Sequence, residues 1–407
     1  MANGGNVSVA NFYVGIDWGN EKHALCVVDR AGRVIKERFV ANDLELLDAL
    51  TRATSSSTAE EVFVAMEDRG NPVADTLLAH RFRVHTINPK QVDRFRDRES
   101  VSGAKDDRRD ARVLARALFT DGVLFRAVAP LTREQALLKG ACASIDELEG
   151  ERLRLANRLR AILVRYFPAL LHLCAGADEP WFWRLVQVVG SPENGQHVDD
   201  AALAAIISDH RLRKLTVAAI RDVLNRRHLT PADGVVESSI IRAAELIERL
   251  DQLQKLLRNA ERVRDDVLKE DRPPEGDGPP DAALLRSVPG IGPKSAAVLL
   301  ADARELLRAG NHKALRAIAG VCPVTKRSGK TNNVVMRRSV NGRLRECLHH
   351  VAATTVRHSP RFGEQYRRLR AAGHGHARAL RGVSDSLLGV IAAMFRTRTP
   401  FTEKAPC

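Results

Sequence analysis

Two long amphipathic stretches set the plan of this chain. From Thr132 to about Phe167, and again from Ser238 to Leu268, apolar residues recur every three or four positions among Glu, Arg and Lys. That is the period of a helix with one buried face. The two helices suit a coiled coil, antiparallel or between molecules, and equally suit plain packing on one another within a monomer. Between them, residues 168–235 read as mostly helical, with Trp181 and Trp183 as candidate core. No internal repeat of about 20 to 50 residues is present, so a solenoid is not indicated.

Ahead of the first stretch the period changes. Residues 1–11 are mostly small and polar and are expected to be disordered. Y-V-G-I-D, ending at Asp17, reads as a strand, W-G-N-E-K-H as a turn, and A-L-C-V-V-D as the returning strand. Arg33 to Val40 extends this to a three-strand antiparallel meander. Asn42 to Ala53 has helical spacing, with Leu44, Leu47 and Leu50 on one face. Glu61 to Met66 is a short apolar strand that ends at Glu67, Pro72 to His80 looks helical, and Arg83 to Ile87 is another strand. A helix follows within V-S-G-A-K-D-D-R-R-D-A-R-V-L-A-R-A-L, Val101 to Leu118. Strands in a meander, then alternating with helices, predict an α/β domain with a mixed sheet over 12–130.

Four carboxylates fall at informative places in that domain. Asp17 and Glu67 end strands, and Asp107 and Asp110 begin a helix, three residues apart on one face. Singly, each has an ordinary explanation, because Asp is favoured at strand ends and at helix N-termini. Together they match the way a ribonuclease-H-like domain builds a site for Mg2+, an ion that takes oxygen ligands and keeps some waters. Paired ions of this kind can clamp the attacking and leaving oxygens of a phosphodiester.

After the helices, D-R-P-P-E-G-D-G-P-P (Asp271 to Pro280) has linker composition. A mostly helical region then runs from Ala282 to about Thr397. In it, S-V-P-G-I-G-P-K-S-A-A-V-L-L-A matches a helix-hairpin-helix turn. Gly290 and Gly292 would let backbone amides approach a phosphate, and Lys294 opens the next helix, whose N-terminus favours anions. The alternative is a plain tight turn between packed helices. A-G-V-C-P-V-T-K-R-S-G-K follows, then M-R-R-S-V-N-G-R-L-R-E. Here Ser328 sits among Lys326, Arg327 and Lys330, with Arg337, Arg338 and Arg343 close behind. A serine hydroxyl needs activation by a base or a nearby cation to act as a nucleophile; unactivated, Ser328 is a loop serine in a basic segment.

Charge supports a polyanionic partner. The formal net charge is +14, and residues 320–407 hold seventeen Lys and Arg against four Asp and Glu. Nucleic acid is the commonest partner of such a surface. No run of about 18 apolar residues exists to span a membrane, and no N-terminal signal pattern is present. Six scattered cysteines with no C-x-x-C pair suggest neither a zinc ribbon nor a thioredoxin-type site, and point to a reducing cytoplasm.

In this order, Y-V-G-I-D-W, V-A-M-E-D-R-G, I-N-P-K-Q-V-D-R-F-R, K-D-D-R-R-D-A-R-V-L-A, V-P-G-I-G-P-K-S-A and A-G-V-C-P-V-T-K-R-S-G-K resemble the transposases of bacterial insertion sequences with an Asp-Glu-Asp-Asp site. Some members of that family are guided by a bridge RNA. The likeness covers roughly 12–125 and 283–357. It implies a RuvC-like N-terminal domain whose acids, here Asp17, Glu67, Asp107 and Asp110, bind Mg2+. It also implies a C-terminal transposase domain whose serine, here Ser328, attacks a DNA phosphate to give a covalent phosphoserine. Family members act as oligomers, so a homo-oligomer is expected, with DNA and a guide RNA encoded outside this chain as partners. Asp106 stands where the family often has a small or polar residue, and Asp68 where Ser or Thr is usual.

The expected layout is thus a disordered start (1–11), a RuvC-like catalytic domain (12–130), a helical, coiled-coil-like region with an insertion (131–270), a linker (271–281), a mostly α DNA-binding and serine domain (282–397), and a tail (398–407). Two rivals remain open: a RuvC-like junction resolvase that uses water, and a non-catalytic nucleic-acid-binding protein.

Overall fold

The computed structural model describes residues 10–67, 71–99, 106–125, 127–226, 231–232, 234–273, 278–328 and 331–403. The expected disorder of 1–11 falls largely outside them. The chain divides into two compact units, Met1–Leu131 and Thr132–Cys407. The first is α/β with a mixed sheet, and the second is mostly helical.

The first unit runs β1 (Phe12–Asp17), β2 (His23–Asp29), β3 (Val34–Val40), α1 (Asp43–Ala53), β4 (Val62–Met66), α2 (Pro72–Ala79), β5 (Arg83–Thr86), α3 (Pro89–Glu99) and α4 (Asp107–Asp121). The sheet order is β3-β2-β1-β4-β5. β1–β2 and β2–β3 pair antiparallel, as the meander predicted, while β4 and β5 continue parallel to β1 and β4. Alternation in the strands sorts the two faces. Val14, Ile16, Leu25 and Val27 pack with Leu46, Leu50, Val73 and Leu77 of α1 and α2. The other face is small: Gly15, Ala24, Cys26 and Ala65 lie toward α4, whose Ala111 and Ala115 are equally small.

Two sequence expectations need correcting here. On α1 the buried positions are Leu46, Ala49 and Leu50, whereas Leu44 is 75% exposed; the core-facing stripe is shifted from the one the leucine spacing suggested. Helix α3 was not anticipated. Its start signal was present, since Asn88 Oδ1 accepts from the Lys90 amide at 3.0 Å and Pro89 occupies the first helical position.

His85 on β5 is buried, and among the described residues neither ring nitrogen has a well-formed hydrogen bond, the Phe125 backbone giving only a weak contact. Burial pushes its pKa below the ordinary histidine value, the Phe125 backbone opposing this only in part and Arg83 adding to it. An unfolded chain would take up a proton below about pH 6.5 that the folded imidazole resists. The stability due to neutral His85 is therefore present above that pH and lost as pH falls toward the folded pKa. We expect urea midpoints of His85→Leu to fall less than wild type between pH 7 and pH 5; parallel curves would remove His85 from the acid sensitivity.

The second unit contains α5 (Arg133–Tyr166), α6 (Pro180–Val189), α7 (Pro192–His197), α8 (Asp200–Asp209), α9 (Val217–Leu224), α10 (Val235–Glu270), α11 (Asp281–Arg286), α12 (Pro293–Arg308), α13 (His312–Ile318), β6 (Val324–Ser328), β7 (Thr331–Val335), α14 (Gly342–His358), α15 (Pro360–Ala371) and α16 (His376–Thr397). The long helices α5 and α10 pack extensively on one another within the chain. At one end Leu138 and Cys142 of α5 and Val267 and Leu268 of α10 join the core of α11, α12, α14 and α16. At the other, Leu159, Leu163 and Tyr166 meet Ala243, Ile247 and Leu250 in a second core. That core contains Trp183, fully buried, while Trp181 lies at its edge.

The stretch read as a linker is anchored at both ends. Asp271 and Asp281 are buried. Arg304 contacts Asp271 at 2.7 Å, and Asp281 receives Arg308 at 2.8 Å and Arg398 at 2.6 Å. Past α16, Phe401 packs on the same core and its amide donates to Ser287 Oγ at 2.8 Å. The β6–β7 hairpin is a further addition to a region expected to be mostly helical. Burial pushes the Cys142 and Cys347 thiols up to about 11. Among the described residues no helix is long and apolar enough to cross a membrane.

Candidate active site

Strand register places the first acid pair. Ile16 of β1 lies opposite Met66 of the parallel β4, so Asp17 and the next residue after β4, Glu67, finish neighbouring strands at one end of the sheet. Helix α4 brings the second pair to that same end by running antiparallel to β1. Phe119, late in α4, meets Tyr13 early in β1 at 5.3 Å between ring centres, and Ala111 and Ala115 cross Gly15. The first turn of α4, with Asp107 and Asp110, therefore lies toward Asp17. Asp110 is buried; Asp107 and Asp106 are exposed.

Around these acids stand residues that sequence reasoning did not nominate. Trp18, next to Asp17, donates its indole N–H to Asp43 at 2.9 Å. His23 Nδ1 accepts from the Gly19 amide at 3.3 Å, which leaves Nε2 to face Asp43 at 3.1 Å. Arg96 of α3 reaches across to Asp110, Nε to Oδ1 at 2.8 Å, and also contacts Asp93 at 2.7 Å. Burial works against the Arg96 charge, but the hydrogen bonds and charges of Asp110 and Asp93 outweigh it and raise its pKa. Among the described residues no three His, Cys, Asp or Glu side chains converge as metal ligands. Asp17, Glu67, Asp107 and Asp110 would offer a cation only carboxylate oxygens, the donors that suit a hard divalent ion.

A groove of about 910 Å3 runs over the outer side of α4, lined by Arg98, Arg108, Arg109, Arg112 and Arg116 together with Asp106. Arg112 is held in a fork by Glu37, at 3.0 and 2.6 Å, and Arg108 lies 4.6 Å over the Phe39 ring. Positions 108, 109, 112 and 116 share one helical stripe, a spacing present in the sequence but not singled out there.

In the second unit the predicted contacts separate. Gly290, at φ +94°, turns toward α14: a Cβ there would meet Thr355 Oγ1 at 2.8 Å and the Thr355 amide at 3.0 Å. Its role in the turn is thus close packing of the α11–α12 corner. Gly292 has open space where a Cβ would lie. Lys294 is paired with Glu149 at 2.6 Å, and Arg343 with Asp146 at 2.7 Å, both acids on α5. Exposed pairs of this kind contribute about 0 to 1 kcal/mol, so an incoming phosphate could displace them. Arg327 and Arg338 are exposed and Arg337 is partly buried. Ser328 ends β6, its backbone paired with Thr331. The side chains of Lys326 and Ser328, and all of Lys330, lie outside the described part, as does Asp68.

Two transposase family models match this chain. The IS110 model of Asp-Glu-Asp-Asp transposases matches residues 14–168, and the model of the transposase IS116/IS110/IS902 family matches residues 282–367. The chain is 31% identical over 416 aligned positions, covering 96% of it and 95% of the relative, to a mini-circle putative transposase for IS117 from Streptomyces coelicolor. It is 40% identical over 206 residues, 50% of this chain and 57% of the relative's length, to putative transposase y4uE of Sinorhizobium fredii. It is 28% identical over 406 residues, 97% of each chain, to an uncharacterized 44.8 kDa protein of insertion element IS116 from Streptomyces clavuligerus. The chain belongs to the IS116/IS110/IS902 transposase family.

Proposed function

We propose that this transposase cuts and rejoins DNA through a serine-linked intermediate, with the first unit as a ribonuclease-H-like, RuvC-like metal domain. The observation that carries this reading is the antiparallel run of α4 along β1, which puts Asp107 and Asp110 at the sheet end occupied by Asp17 and Glu67. The strand order, three antiparallel strands continued by two parallel ones, supports the same fold assignment. Asp17, Glu67, Asp107 and Asp110 would hold Mg2+, which when bound supplies electrostatic stabilisation of charge building on phosphate oxygens.

Ser328 Oγ attacks a DNA backbone phosphorus. The Ser–O–P bond forms, the bond to one strand oxygen breaks, and the serine proton is lost as the departing strand oxygen gains one. A hydroxyl of a second strand then attacks the phosphoserine, restores the serine and joins the strands. Arg327, Arg337, Arg338, Arg343, Lys294, Lys326 and Lys330, with the backbone at Gly292, hold the DNA; Gly290 supports the turn. Assembly with further copies is supported by exposed apolar residues on α5 and α10, among them Leu153 and Leu256. A guide RNA fits the basic surface and the family.

The test is a covalent-adduct assay. Ser328→Ala is expected to abolish the protein–DNA adduct while sparing DNA binding, and Asp107→Asn to remove Mg2+-dependent cutting. An adduct that persists in Ser328→Ala sinks the serine assignment, and full activity in Asp107→Asn sinks the metal site.

A further inference from the structure

The run I-N-P-K-Q-V-D-R-F-R ends on Arg96, and the reaction proposed above gives that residue no part. Its side chain is largely buried, lies on α3, and reaches the buried carboxylate of Asp110 on α4 at 2.8 Å. An ionised carboxylate buried without a counter-charge is costly, and Arg96 supplies that charge to Asp110 in this structure. The guanidinium also holds Asp93 at 2.7 Å, and Asp93 is 61% exposed. Arg96 therefore has one partner inside the acidic end and one at the surface. It can keep the second while leaving the first.

We propose that Arg96 is the resident counter-ion of the acidic site: it neutralises Asp110 in the metal-free protein and exchanges with a divalent cation, withdrawing to Asp93 as the cation arrives. This rests on the assignment of Asp110 to the metal site. The chemistry is competition between two cations for one carboxylate. The guanidinium offers hydrogen bonds in a fixed fork, and the metal ion offers higher charge density to a hard oxygen. A residue that merely braced Asp110 as a ligand would behave oppositely, because its loss would weaken metal binding.

The experiment is Mn2+ titration of the full-length chain by calorimetry, beside thermal melting in chelator. Arg96→Gln is expected to bind Mn2+ about tenfold or more tightly than wild type, since the competing charge-assisted contact is gone. Its melting temperature in chelator should drop, and Mn2+ should restore more of it than in wild type. Should Arg96→Gln fail to fold, Arg96→Lys keeps the charge but loses the fork, and should show a smaller gain in affinity. Unchanged or weaker Mn2+ binding in the folded variant overturns the proposal. Asp17→Asn in the same titration separates the two readings. If it weakens Mn2+ binding while Arg96→Gln does not strengthen it, the exchange idea alone is lost. If Asp17→Asn leaves binding untouched, or no chain binds Mn2+, the metal site and the exchange fall together.

Discussion

Replacing Gly15 by alanine is expected to cost about 3 kcal/mol or more of the first unit's stability, and to abolish divalent-cation binding at the proposed site. The backbone conformation at Gly15 is ordinary for a strand; the constraint is space. A Cβ there would sit 1.8 Å from the Ala111 carbonyl oxygen and 2.6 Å from the Ala115 nitrogen. Neither is the movable tip of a side chain, so α4 itself would have to lift from β1. Because Asp107 and Asp110 ride on the first turn of that helix, they would shift with it. The measurements are a urea midpoint and a Mn2+ titration on the same preparation. Gly140→Ala serves as control: it lies within α5, has nothing within 4 Å of the added Cβ, and should stabilise by up to about 1 kcal/mol. A Gly15→Ala protein with wild-type stability would mean that α4 does not pack as described.

The second large effect is expected at Asp281. Asp281→Ala should destabilise the second unit by about 3 to 5 kcal/mol, the usual penalty when one partner of a buried ionic group is removed. Asp281 has no exposed surface, and its oxygens are shared by Arg308 and Arg398, with Arg304 at 3.8 Å. Without it, three guanidinium groups crowd a site left with Asp271 as the acid facing Arg304. Arg398, in the left-handed region at φ 54°, also donates to the Pro279 carbonyl, so the end of α16 should loosen. Denaturant unfolding followed by helical circular dichroism checks this. A midpoint shift of less than about 1 kcal/mol equivalent would show that the cluster behaves like a solvated surface pair.

These two sites mark where sequence reading succeeds and fails. The strands around Gly15 were legible because their alternation is local, and the four acids could be nominated because each sits at an element end; their metal-binding role is the proposal made above. The closeness of α4 to β1 was not, since a glycine in a strand does not say which backbone it meets. Asp271 and Asp281 flank a Pro- and Gly-rich run whose composition suggests a loose connection. The arginines that bury them come from positions 304, 308 and 398, a separation no local pattern reveals. Arg96 is similar: its i, i+3 pairing with Asp93 could be read from spacing, its hold on Asp110 could not. The hairpin of β6 and β7 had a visible turn signal in S-G between two β-prone runs, outweighed by the helical character around it.

The pairing of α5 with α10 has an evolutionary consequence. Each helix is about 50 Å long, and because they lie side by side, the chain leaves for residues 168–235 and returns at nearly the same place. The far core is thus a head on a stem. Its loops and short helices can lengthen, shorten or be exchanged without moving either end of the stem, and natural variation in length should collect there while the base around α12 and α14 stays fixed.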